Sequence, residues 1–197
     1  MSFRRSGPPG TEWYDFYPAA TKLHVSSPSD VLLVDIGGGT GADLIGFHNR
    51  HESLPGKLIL QDIPPVIDAI ESAALPARIE AQEHDFFTPQ PVRGAKAYYL
   101  RTVLHDWPDK QAHEILRHVR EAMVGEESVL LVNETCLAEK GVGLMEAELD
   151  MSMMVLFASL ERTEAQWREL LEGAGFRVLG VWRPESGSGA LFEAVVA

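Results

Sequence analysis

Four stretches of this sequence carry residue types at spacings that could do chemistry. The first is DIGGGTGA, Asp35 to Ala42. Gly37, Gly39 and Gly41 let a backbone turn tightly and approach a ligand closely, and a helix starting there would offer free N–H groups. Three consecutive glycines and a fourth exceed what a packing turn needs. Gly37-x-Gly39-x-x-Ala42 also satisfies the dinucleotide fingerprint. The second is Asp62, about 20 residues further on. Its carboxylate can accept both hydrogen bonds of a ribose diol, or it can cap a helix starting at Pro64 or Pro65. Asp62 therefore supports an adenosine-containing cofactor without choosing between nicotinamide and S-adenosylmethionine chemistry. The third is HDFF, His84 to Phe87. Asp85 can accept from an exocyclic amine while Phe86 packs on adenine, or the pair can be a turn acid beside a core ring. The fourth is His105, placed where an apolar run stops, before Asp106, Trp107 and Pro108.

A lone histidine at a strand end is more often structural than catalytic. Here another apolar run closes on Asn133 and Glu134, which puts a carboxylate on a neighbouring strand tip. A carboxylate bonded to one imidazole nitrogen orients the ring and raises basicity at the other. Asp106 either contacts a substrate or caps the segment beginning Trp107-Pro108.

The elements that must position these residues alternate along the chain. VLLVDI (31–36) reads as a strand and 41–51 as a helix. KLILQD (57–62) is a second strand and 65–75 a second helix. A third strand lies within 77–85 and a fourth covers 95–104. A long amphipathic helix follows over 108–123, a fifth strand over 128–134, and helices over roughly 143–158 and 163–173. From Phe176 onward two strands flank a polar Ser/Gly turn, a hairpin. Unbroken apolar strands alternating with helices indicate an α/β fold. It is a doubly wound, mostly parallel seven-stranded sheet ending in an antiparallel hairpin. Ligands of such sheets bind outside the carboxyl ends of the strands, which is where all four stretches fall. Ahead of the first strand, 11–23 carries Trp13, Tyr14, Phe16 and Tyr17, too apolar for a loose tail.

The chain has 197 residues, enough for one sizeable core, with 45% hydrophobic and 23% charged residues. With 17 basic against 29 acidic residues the net charge is −12, which argues against a nucleic-acid-binding face. Cys136 is the single cysteine, so no internal disulfide and no cysteine metal cluster is available. The seven histidines are scattered, and no metal is expected. The start, MSFRRSGPPG, has no apolar core of a signal peptide, and no run approaches the ~18 apolar residues of a membrane span. A cytoplasmic protein is expected.

LLVDIGGGTG, LILQDIPPVI, HDFF, LRTVLHDWPD, LLVNE and ERTEAQWRELLEGAGF, in this order, closely resemble the S-adenosylmethionine-dependent O-methyltransferases. The likeness is to the catalytic domain of the caffeic-acid type, with its plant and fungal small-molecule enzymes. It covers about 30–197, with 1–29 as a tail and aromatic linker. It implies a Rossmann-like methyltransferase fold. It also implies cofactor contacts from Asp35, Gly37, Gly39, Asp62, Asp85, Phe86 and Arg101, the last replacing a lysine common in plant members. By the same resemblance His105 is the general base, and Glu134 and Glu161 are the acids that hold it. Met151 and Met154, in the methionine-rich 145–161, are expected to face substrate together with Asp106, although a core helix fits that stretch equally well. Asp150 is expected to be a solvated helix acid. Family members usually carry a helical N-terminal domain that builds a homodimer and closes the pocket; only 11–23 precedes the first strand here.

The implied reaction is an in-line transfer of methyl from S-adenosylmethionine to a hydroxyl, leaving S-adenosylhomocysteine. A phenol of pKa near ~10 is protonated at neutral pH, so a neutral imidazole must remove the proton as the bond forms. Three other readings compete. An NAD-dependent oxidoreductase shares the glycine loop and Asp62 but needs a catalytic set that is not visible. A partner protein could bind cofactor without turnover. A rearrangement catalyst could use bound cofactor electrostatically.

Overall fold

The computed structural model describes residues 10–70, 74–141, 143–157 and 159–197. Two short helices, α1 (Trp13–Phe16) and α2 (Ala19–Lys22), precede the alternating body. Then come β1 (Val31–Ile36), α3 (Ala42–Arg50), β2 (Lys57–Asp62), α4 (Pro64–Ile67), β3 (Ile79–Glu83) and β4 (Ala97–Arg101). A 3-10 turn (Leu104–Asp106), α5 (Asp109–Ala122), β5 (Val129–Thr135), α6 (Leu144–Phe157), α7 (Glu164–Gly173), β6 (Phe176–Trp182) and β7 (Gly189–Val196) complete it. The strands form one sheet in the order β3-β2-β1-β4-β5-β7-β6. Only β7 runs against its neighbours, between β5 and β6. The order reverses between β1 and β4, the point where open α/β sheets bind ligands.

The period-2 alternation of the central strands builds two cores. From β4, Tyr98 and Leu100 join α5 and α7 on one face; Ala97 and Tyr99 join α3 and the N-terminal segment on the other. Helix α5 buries Ala112, Ile115, Leu116, Val119 and Ala122, the i, i+3, i+4, i+7 stripe of an amphipathic helix. Helix α7 starts on a reciprocal capping box between Thr163 and Gln166 and buries Trp167, Leu170 and Leu171.

Three elements differ from the sequence expectation. The fourth strand ends at Arg101, not 104. The chain leaves the sheet at Thr102, whose φ of 50° is left-handed, a costly conformation for a β-branched residue. The expected 65–75 helix is a single turn, Pro64–Ile67, with none of its four residues buried. Without a buried face, propensity alone does not hold a longer helix; residues 71–73 lie outside the described residues. Helix α6 spans the expected stretch, yet Leu144, Met151, Met154 and Val155 on it are exposed while Met153 is buried. Among the described residues, no helix is long and apolar enough to cross a membrane.

The aromatic segment is part of the core. Trp13 is 1% exposed, with its ring stacked on Phe47 at 5.1 Å and on Tyr99 at 4.7 Å between centroids. Tyr14 reaches α3 where Gly46 leaves room; a Cβ there would fall 2.3 Å from the Tyr14 hydroxyl. Trp13→Ala should cost about 3–5 kcal/mol, the range for truncating a buried large aromatic. Denaturant unfolding of the two chains measures it; a loss below 1 kcal/mol would show that the segment only rests on the surface.

Candidate functional site

The glycine loop hangs on β2. Gly38 N donates to Gln61 O at 3.0 Å and Gly39 N to Asp62 Oδ2 at 2.8 Å. Gly37 and Gly39 both have positive φ, 68° and 61°, which glycine adopts without strain. Their surroundings differ. A Cβ on Gly37 would meet Val103 at 2.9 Å and Phe86 at 3.7 Å, whereas one on Gly39 would meet nothing within 4 Å. The loop is thus closed against the β4 turn and the Phe86 ring at one end and open at the other. Asp35 is buried beneath it: a Cβ on Gly38 would lie 2.6 Å from Asp35 Oδ2, so the loop itself is its near neighbour.

Asp62 is half-buried and also accepts from Ile63 N at 2.8 Å through Oδ1. Asp85 is exposed and closes its own turn, accepting from Phe87 N at 2.9 Å. Phe86 is half-buried and packs edge-on against Phe87 and Trp107. The loop carrying Asp85 and Phe86 is tied back through Gln90, which exchanges two side-chain hydrogen bonds with Gln61, at 2.8 and 2.9 Å, inside the core. Arg101 donates to Asp43 Oδ1 at 2.7 Å and to Glu12 Oε2 at 2.8 Å. Tyr99 donates to the other Asp43 oxygen at 2.8 Å. The N-terminal segment therefore reaches the tip of β4 through Glu12.

His105 sits in the 3-10 turn beyond that tip. Its Nδ1 lies 2.9 Å from Glu161 Oε1, and the Glu161 side chain is fully buried. Its Nε2 faces Asp106 Oδ1 at 3.4 Å. Glu134 acts differently from the expectation that it holds the ring. Its Oε1 accepts from Val103 N at 3.0 Å and Leu104 N at 2.9 Å, so it anchors the backbone of the turn while its charge faces the imidazole. Asp150, expected to be solvated, accepts from Glu161 N at 2.8 Å. Asp106 makes no cap for α5, whose N-cap is Pro108 without a side-chain bond.

These carboxylates set the protonation of the ring. Burial pulls the imidazolium down, but the hydrogen bond its Nδ1 donates to Glu161 and the charges of Glu134, Glu161 and Asp106 outweigh it, raising His105 to about 9. Burial pushes Glu134 up to about 7, against the pull of His105 and the two turn amides. Both groups are raised, so each stabilises the fold below its unfolded value and loses that contribution as pH rises through the folded one. For Glu134 the window runs from 4.5 to about 7, and for His105 from 6.5 to about 9. Met151 and Met154 lie on the exposed face of α6, and Met153 is buried. The side chain of Phe157 lies outside the described residues. Among the described residues, no group of three or more His, Cys, Asp or Glu is placed to hold a metal ion.

Residues 25–177 match the family model described as an O-methyltransferase domain. The chain belongs to that O-methyltransferase family. The demethylsterigmatocystin 6-O-methyltransferase of Emericella nidulans is 44% identical over 170 residues, 86% of this chain and 81% of that protein. A methyltransferase of Aspergillus candidus, cfoC, is 39% identical over 98% of this chain and 48% of its own length. Solved structures of the same shape include LepI in complex with SAM, at 36% identity and a TM-score of 0.91, covering 99% of this chain and 50% of that one. OxaC in complex with sinefungin and meleagrin has 36% identity and a TM-score of 0.85, over 93% and 47% of the two chains. This O-methyltransferase domain spans about half the length of most of the relatives it matches.

Sequence reasoning brought together the glycine loop, Asp62, Phe86, His105, Glu134 and Glu161. It missed Gln61 and Gln90, for which the only signal was a glutamine interrupting the apolar run LILQD. It also missed Ser159 and Arg162, whose bonds to the turn go mainly to backbone carbonyls, with Asp109 as the one carboxylate facing Arg162. Glu161→Gln should bring His105 down from about 9 toward 6.5, because the neutral amide removes a charge that favours the imidazolium. An NMR titration of the ring reads this. A midpoint unmoved by the substitution would mean that Glu161 does not set the proton affinity.

Proposed function

We propose that this chain carries out S-adenosylmethionine-dependent methylation of a phenolic hydroxyl on a small molecule, with His105 as general base. The observation that carries the reading is the buried His105–Glu161 bond, at 2.9 Å, on a strand tip next to the glycine loop. Relatives named as O-methyltransferases and neighbours titled as complexes with SAM, SAH and sinefungin support it.

The residues present fit the cofactor. Gly39 borders open space, and Asp62 presents a half-buried carboxylate beside it to take ribose hydroxyls. Phe86, beside Gly37, offers a ring for adenine, and Asp85 an exposed carboxylate for its amine. Arg101 would balance a carboxylate at the tip of β4. When bound, the cofactor supplies an electrophilic methyl group on a sulfonium. The protein's own task is to align the acceptor oxygen and remove its proton. Nδ1 faces Glu161 and so carries a hydrogen, which leaves Nε2 as the accepting nitrogen. The acceptor hydroxyl displaces Asp106 from Nε2, and the imidazolium formed is stabilised by Glu161 and Glu134. A folded-state value of about 9 for His105 brings the ring near a phenol of ~10, so the proton moves between groups of similar affinity. Met151 and Met154 would give this substrate a polarisable apolar wall.

A second reading rests on the likeness to a solved structure described as a pericyclic reaction enzyme, 36% identical with a TM-score of 0.91. It places a rearrangement on the same frame, with cofactor bound but not consumed. Release of S-adenosylhomocysteine with a panel of phenols separates the two; product formed without that release would favour the second.

His105→Gln should keep affinity for S-adenosylhomocysteine while methyl transfer falls by about 100-fold or more. Unchanged turnover would remove His105 from the mechanism. In the wild-type chain, kcat/KM should rise with pH up to about 9, because only the neutral ring accepts a proton and the base fraction grows about tenfold per pH unit below that point. A flat profile from pH 6 to 9 would contradict the general base. Asp62→Ala should weaken S-adenosylhomocysteine binding by about tenfold or more, the effect of losing charge-assisted hydrogen bonds. Full-strength binding by calorimetry would place the ribose elsewhere.

A further inference from the structure

The turn that carries His105 is held on its carbonyl side by one short strip of chain, Ser159 to Arg162. Ser159 Oγ donates to His105 O at 2.5 Å. Arg162 Nη1 donates to Leu104 O at 3.2 Å, and Nη2 to Trp107 O at 3.0 Å and to Asp109 Oδ1 at 2.7 Å. The guanidinium is almost fully buried and lies 4.9 Å from the Trp167 ring centre. Between these two residues Glu161 bonds the His105 ring itself. Asp109 is largely exposed, so the buried charge of Arg162 is matched by one carboxylate at the surface, two carbonyls and an aromatic face. A buried charge is costly unless fully satisfied, and among the described residues the oxygens that accept from Arg162 belong to Leu104, Trp107 and Asp109.

From this geometry we infer that Arg162, together with Ser159, is a positioning residue for His105: it fixes the backbone on both sides of the ring and so aims Nε2 at the acceptor oxygen. The planar guanidinium is suited to this. It reaches two carbonyls three residues apart and a carboxylate at once, which the single ammonium of a lysine cannot do. Glu134 completes the clamp from the amide side, at Val103 and Leu104. The ring of His105 then has little freedom left, because Glu161 belongs to the same strip as the residues that hold its backbone. The strip is itself tied to α6, through Ser159 N to Met153 O at 3.3 Å and Glu161 N to Asp150 Oδ1 at 2.8 Å. Helix α6 bears Met151 and Met154, so the wall proposed for substrate and the base proposed for the proton share one frame. The catalytic part of this inference rests on the methyltransferase reading; the positioning part does not.

The test uses the full chain with two substitutions, Arg162→Lys and Ser159→Ala. The His105 ring signal is followed by NMR through a pH titration and assigned by its loss in His105→Gln. We expect the midpoint to move toward the ordinary histidine value by about half a unit or more, as the Nδ1–Glu161 bond loosens. Binding of S-adenosylhomocysteine should stay within about twofold, because neither residue lines the glycine loop, while kcat falls on the order of ten- to a hundredfold. A moved midpoint in either variant supports the inference. A midpoint at the wild-type value in every variant that folds overturns it, whatever the loss of stability; Ser159→Ala removes one hydroxyl and decides the matter if Arg162→Lys does not fold. Wild-type chain that transfers no methyl group, alongside a moved midpoint, leaves the positioning role standing and removes the enzymatic reading. Turnover alongside an unmoved midpoint does the reverse.

Discussion

The backbone of residues 102–107 cannot satisfy its own hydrogen bonds, and much of the site is built around that constraint. A single 3-10 turn makes few internal bonds, and buried amides and carbonyls left unpaired cost about as much as a lost hydrogen bond each. Partners must come from other elements. Glu134 on β5 takes two amides; Ser159 and Arg162 take three carbonyls. The left-handed φ of Thr102 is tolerated because this surrounding set over-determines the path of the chain. In exchange Val103 and Leu104 stay buried while His105 and Asp106 remain partly accessible beyond the tip of β4.

The same logic separates the two acids that sequence treated as equivalent. Both are buried, and both face His105. Glu161 arrives from the loop before α7 and can meet the ring edge. Glu134 is on β5, directly alongside the point where β4 ends, and the nearest donors there are amides of the departing chain. With two amides on one oxygen, Glu134 acts on the imidazole through space without restricting how the ring turns. Orientation and electrostatics are thus divided between them.

Most of the frame was legible in the sequence because the strands that carry the site are apolar runs stopped by chemically distinct residues. VLLVDI stops at glycines, KLILQD at Asp62, and the run through Leu104 at His105. Resemblance supplied Glu161, which no periodicity would mark. What stayed hidden falls into two kinds. The short α4 could not be told from a longer helix, because apolar spacing in 65–75 does not reveal that its first turn finds no surface to cover. Arg162 and Ser159 could not be found because their bonds to the turn go to backbone carbonyls, which every residue has, and the one carboxylate paired with Arg162, Asp109, lies 53 positions away. Glu12 was hidden for a third reason. Its contact with Arg101 joins residues 89 positions apart, and only the packing of Trp13 between Phe47 and Tyr99 brings it there.

The charge around His105 bears on which direction a proton travels. Three carboxylates facing one imidazole stabilise its protonated form, so the ring holds a proton more tightly than free histidine does. Such a ring is a strong acceptor and a weak donor. It suits chemistry in which a hydroxyl must lose its proton as a new bond forms at oxygen, because the charge created on the ring is compensated before it appears. A rearrangement that needs a proton delivered to the substrate gains less from this setting, since the acid would be weakened by the same carboxylates. One that needs only a fixed hydrogen-bond donor would still be served, because an imidazolium held by Glu161 presents Nε2–H in a set direction once Asp106 moves aside. The arrangement therefore favours methyl transfer over proton-donating rearrangements, and leaves Asp106 as the group that must yield in either case.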